Sequence, residues 1–122
     1  MNKSQVGYVD NIESETKSNT SYRKVLFTGK RMQLVLMTLK PGEEIGMEVH
    51  EDHDQFFRIE SGTAKIIMNG EESIAEEDFA AIVPAGAQHN VINASDTDLL
   101  KLYTIYAPPE HPEGTLQENK PE

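Results

Sequence analysis

Glu48 and His50 stand two residues apart. On a β-strand, residues i and i+2 leave the same face, so these two side chains would project together. A carboxylate beside an imidazole reads either as a salt-bridged pair on a solvated face or as a chelating pair for a borderline divalent metal. His89 could add a second imidazole, and Gln55 a neutral carbonyl oxygen. Both would have to meet the first pair through the fold, which must bring residues 48–55 and 84–93 together.

The spacing around these residues resembles the cupin superfamily. The first cupin stretch runs G-x5-H-x-H-x3/4-E-x6-G. This chain reads Gly42-x5-Glu48-x-His50-x4-Gln55-x6-Gly62, with Glu48 in place of the first His and Gln55 in place of the Glu. The second stretch, G-x5-P-x-G-x2-H-x3-N, appears as Asp78-x5-Pro84-x-Gly86-x2-His89-x3-Asn93, departing only at its first position. The resemblance implies an all-β fold, the double-stranded β-helix or jelly-roll barrel, with Glu48, His50, Gln55 and His89 toward one divalent transition metal. Zinc, iron, manganese and nickel all suit two imidazoles and a carboxylate. Gln55 either binds the ion or supports a ligand from behind. With Gln55 included, the set resembles the zinc shell of the mannose phosphate isomerases. Asn93 is expected to serve the backbone.

The elements that must position these residues read as short strands. Val25-Leu26-Phe27 ends at Thr28-Gly29-Lys30, and residues 32–39 follow as a strand apolar on both faces. Such a strand is buried twice, so a homodimer is expected, with the second subunit over its outer face. Residues 45–50 and 55–60 make the next pair, with Gln55, Phe57 and Ile59 on one face. Asn69-Gly70 is the strongest hairpin signal in the chain. Residues 79–83, 88–93 and 99–106 complete a set of eight or nine strands with no convincing helical period.

Three segments are expected: a polar arm at 1–21, the barrel at 22–107, and a tail at 108–122 that crosses the body and then frays. Met37, Phe57, Leu102 and Tyr106 are candidates for lining a pocket and equally for plain core. His53, within Asp52-His53-Asp54, is expected to face solvent. His111 reads as a tail residue, unless the tail covers the barrel mouth. No further acid or base stands out.

A chain of 122 residues suffices for one cored domain. It has no cysteine, so disulfides, thiolate ligands and cysteine nucleophiles are excluded. Lys and Arg number 11 against 21 Asp and Glu, a net charge of −10, which disfavours nucleic acid and anionic membranes. The first twenty residues contain no apolar run for a signal peptide, and Leu34-Val35-Leu36-Met37 is too short to span a bilayer. A cytoplasmic protein with a small-molecule ligand or substrate is expected. It would be a metal-dependent enzyme of dioxygenase or isomerase type acting on an oxygen-rich compound, or else a sensor-type binder without turnover.

Overall fold

Ten strands and one short helix make up the computed structural model, which describes residues 6–122. They are α1 (Ile12–Ser18), β1 (Arg23–Thr28), β2 (Gln33–Leu39), β3 (Glu48–Val49), β4 (Asp54–Ser61), β5 (Ala64–Met68), β6 (Glu71–Ala75), β7 (Ala80–Val83), β8 (Gln88–Asn93), β9 (Leu100–Ala107) and β10 (Leu116–Gln117). Two antiparallel sheets result, ordered β10-β1-β2-β9-β4-β7 and β3-β8-β5-β6. This is the two-sheet jelly-roll arrangement expected from the sequence. Inward-facing Val35, Met37, Phe57, Ile59, Val91 and Leu102 pack between the sheets at 3 % exposure or less.

Backbone geometry explains the punctuation. Asn69 and Gly70 both take positive φ (48° and 85°), as a tight hairpin between β5 and β6 demands. Gly62 has φ +94°, and a Cβ there would lie 2.5 Å from the Leu99 carbonyl oxygen, so no side chain fits. Asp78, which departs from the second cupin stretch, holds φ +73°. The position needs a left-handed residue, and Asp tolerates that conformation better than most. Its carboxylate also pairs with Arg58 at 3.0 Å.

The N-terminal segment corrects one expectation. It contains a helix, capped by the Asn11 side chain, which accepts from the Ser14 amide at 3.0 Å. Glu13 in the first turn pairs with Lys17 in the last at 3.2 Å. The helix has seven residues and buries only Thr16, so it shows no apolar stripe for periodicity to reveal. It packs against β2, β4 and β9. Both faces of β2 are buried for most of its length, and α1 of the same chain supplies part of the outer cover. Thr38 donates through Oγ1 to the Asn19 carbonyl at 2.8 Å, and Leu36 is 1 % exposed. The tail is not frayed throughout either, because β10 pairs with β1, Leu116 opposite Lys24. Asn93 does serve the backbone: its Nδ2 donates to the carbonyls of Leu39 and Asp98.

Candidate metal centre

Strand pairing brings the two distant segments together. In the β3–β8 pair Glu48 lies directly opposite His89. His50 follows just beyond the end of β3, and Gln55 enters from β4 in the other sheet. One ligand atom each from Glu48, His50 and His89 falls within 4.8 Å of the others. His50 Nε2 stands 3.4 Å from Glu48 Oε1, and the two imidazole rings are 5.4 Å apart. That nitrogen–oxygen separation is long for a hydrogen bond. It matches the edge of a tetrahedron of ligands about 2.1 Å from one ion, roughly 3.4 Å.

Hydrogen bonding leaves the donor atoms of this set bare. His89 Nδ1 lies 3.1 Å from the Ala87 carbonyl oxygen. A carbonyl only accepts, so Nδ1 carries the proton and Nε2 presents its lone pair. Gln55 donates through Nε2 to Thr104 Oγ1 at 3.0 Å, which turns its Oε1 the other way. His89 Nε2, His50 Nε2 and Gln55 Oε1 are all buried without a hydrogen-bond partner among the described residues. Each such orphan costs about 1–3 kcal/mol. A cation accepting their lone pairs would offset that cost, so the residues present fit a divalent metal.

Aromatic rings wall the site. Phe57 lies 6.4 Å from the His89 ring, and Tyr106 stands edge-on to His50 at 5.9 Å. Burial raises the Tyr106 phenol above its ordinary range and keeps it protonated. Met37 and Leu102, opposite one another across β2 and β9, are fully buried in the apolar cluster.

The mouth holds side chains the sequence reading did not gather. His53 does not face solvent freely. Its side chain is 17 % exposed, packed at 5.5 Å against the His50 ring, and its Nε2 reaches the Pro109 carbonyl oxygen at 3.1 Å. The tail does cross the mouth. Gln33, fully buried, accepts from the amides of Glu110 and His111 at 3.1 and 3.0 Å and donates to the His111 carbonyl at 2.7 Å. Glu110 Oε1 thereby lies 3.4 Å from His53 Nε2 and 3.7 Å from His50 Nδ1. An ionisable group outside the ligand set therefore does stand out. Its signal, one Glu in a proline-rich tail, carries no spacing that sequence alone could read. His111 sits 3.4 Å from the Tyr106 hydroxyl, and burial, with the nearby Arg23 charge, lowers its pKa to about 4.

The model of the cupin domain family matches residues 35–106. The chain is 46 % identical over 125 aligned positions to the uncharacterized protein L612 of Acanthamoeba polyphaga mimivirus, covering 99 % of this chain and 77 % of that one. A shorter match, 32 % identical over 65 residues, links it to mannose-1-phosphate guanylyltransferase ManC of Salmonella typhimurium. It takes in 53 % of this chain and only 14 % of the enzyme. Among solved structures, BH2720 from Bacillus halodurans superposes with a TM-score of 0.88 at 44 % identity, covering 92 % of this chain and 89 % of the other.

Proposed function

The chain belongs to the cupin family, and on that premise we propose that it binds one divalent transition metal and acts on an oxygen-rich small molecule. The observation that carries this reading is the trio of buried, unpartnered acceptors on His50, Gln55 and His89, beside the Glu48 carboxylate. Glu48, His50 and His89 would hold the ion, with the Gln55 carbonyl as a fourth oxygen donor or as support behind the others. Bound there, zinc, iron, manganese or nickel would supply Lewis acidity toward a ligand oxygen, and iron also reactivity toward dioxygen.

The chain's own residues shape what could enter. Phe57 and Tyr106 exclude water from the inner wall, while Glu110 lies over the mouth. One ion at +2 with the carboxylates Glu48 and Glu110 sums to a formal charge near zero, so neutral, oxygen-bearing compounds are better matched than highly charged ones. Isomerase-like and dioxygenase-like chemistry both fit this set. The short match to a mannose-1-phosphate guanylyltransferase is a reason to include sugar derivatives in a first substrate screen.

A second reading, a non-catalytic binder or sensor, is favoured by one observation: the mouth is closed by a segment pinned to a buried glutamine. We also propose a cytoplasmic homodimer. No helix among the described residues is long and apolar enough to cross a membrane. On the outer side, Tyr8, Phe27, Met32, Leu34 and Ile105 line an apolar groove of about 240 Å³ that a second copy could cover. A monomeric mass by light scattering at micromolar concentration would contradict the dimer.

Elemental analysis of protein purified without an affinity tag or chelator tests the central reading. Near one equivalent of a transition metal is expected. No metal, and none taken up on titration, would overturn it.

A further inference from the structure

The strap formed by residues 108–112 ends in an arrangement that a frayed tail would not produce. Its backbone is held by three hydrogen bonds to Gln33, a side chain with no exposed surface. Gln33 is itself held by Thr28, whose Oγ1 accepts from Nε2 at 2.9 Å. Beyond the strap, β10 pairs with β1 and fixes the far end. Glu110 is thus delivered to the mouth by a built support, with its side chain 31 % exposed.

What Glu110 meets there is the back of a ligand. A neutral imidazole carries one proton. If His50 Nε2 gives its lone pair to a metal beside Glu48, the proton must reside on Nδ1. The carboxylate facing Nδ1 is Glu110, at 3.7 Å, an ion-pair separation that a closing movement of less than about 1 Å would turn into a hydrogen bond. His53 approaches the same Glu110 oxygen from the other side at 3.4 Å, and its Nε2 must carry a proton because the Pro109 oxygen 3.1 Å away can only accept. His53 Nε2 is therefore a donor to the strap, and a metal held between His50, His53 and Glu110 would have to take His53 through Nδ1. A carboxylate receiving the second N–H of a ligating histidine fixes its tautomer and ring angle and makes the ligating nitrogen more basic.

We propose that Glu110 is a positioning residue for the metal centre: the strap supplies the carboxylate that orients His50, so that strap closure and metal binding reinforce one another. The proposal rests on the metal-binding reading above. The coupling is reciprocal, since whatever a seated Glu110 adds to metal affinity the metal returns as closure of the strap. A cation at Nε2 also makes the Nδ1 proton a stronger donor, which draws Glu110 closer.

Wild type, Glu110→Ala and Glu110→Gln are compared by Zn²⁺ competition against a chromogenic chelator, by the visible absorption of the Co²⁺-loaded proteins, and by hydrogen exchange of strap amides with and without Zn²⁺. Glu110→Ala is expected to weaken Zn²⁺ binding about 10–100-fold, the usual loss when such a partner is removed. Glu110→Gln, of the same shape without the charge, should fall between and show a shifted Co²⁺ spectrum. Zinc should slow strap exchange in wild type and fail to do so in Glu110→Ala. A role confined to holding the tail would leave the Glu110→Gln spectrum unchanged. Affinities within twofold of one another, with wild type still taking up one equivalent, would overturn the proposal and leave the metal reading intact. A wild type that binds no zinc or cobalt would overturn both. Unchanged β-rich circular dichroism separates these outcomes from misfolding.

Discussion

The amide of Gly86 donates a hydrogen bond to the carbonyl of His50 at 2.9 Å. Gly86, at φ +87°, belongs to the turn that launches β8 and His89, whereas His50 closes the short β3 segment. Next to it the Ala85 amide donates to the Asp54 carboxylate at 2.9 Å. The two segments that supply imidazoles are therefore tied backbone to backbone.

From that tie comes the first expectation. His50→Ala and His89→Ala should each abolish stoichiometric metal while keeping the β-rich circular dichroism of the parent. Gln55→Ala leaves Glu48 and both imidazoles in place, so it should still load, with affinity lowered about 10–100-fold. Full metal content in both histidine variants, read by elemental analysis, would show that the centre lies elsewhere.

The candidate ligand cluster was legible because its spacing resembles the cupin stretches, which tie distant positions that strand pairing brings together. Glu48 and His50 two apart, and the Pro84-x-Gly86-x2-His89 turn, are constraints that a linear motif records directly. Pairing of β3 with β8 then completes what the motif implied. Glu110 was not legible, since its position depends on Gln33, seventy-seven residues away, holding the strap through backbone amides that carry no side-chain signature. Helix α1 escaped for a different reason. Its stability comes from an Asn11 cap and docking on the sheet, not from an amphipathic stripe.

Acid should loosen the strap through His111. Burial, with Arg23 nearby, holds its imidazole at about 4, below the ordinary 6.5. Between those values the unfolded chain binds a proton that the folded chain does not. The contribution of neutral His111 is thus fully present above about pH 6.5 and lost progressively as pH falls toward 4. Denaturant midpoints measured across that window should decline more steeply for wild type than for His111→Phe. Parallel curves would mean that His111 is already free to protonate in the folded protein.

Gly62→Ala tests the tightest backbone approach at any glycine of the described residues. The added methyl would meet the Leu99 carbonyl oxygen at 2.5 Å on a residue with φ +94°. Strain at positive φ alone is on the order of 1–3 kcal/mol. A thermal midpoint lower by roughly 5–15 °C is expected for a domain of this size. A shift under two degrees would indicate that β5 moves away at little cost.

The order of strands has a consequence for behaviour at high concentration. Among the described residues both sheets are open, which leaves four edges, at β10, β7, β3 and β6. β10 and β3 are two residues long and β7 is four. β6 is longer but begins with exposed Glu71 and Glu72. Each edge is either too short to template a foreign strand or already charged against one. Together with the net charge of −10, this protects the barrel from edge-to-edge aggregation without closing either sheet into a ring.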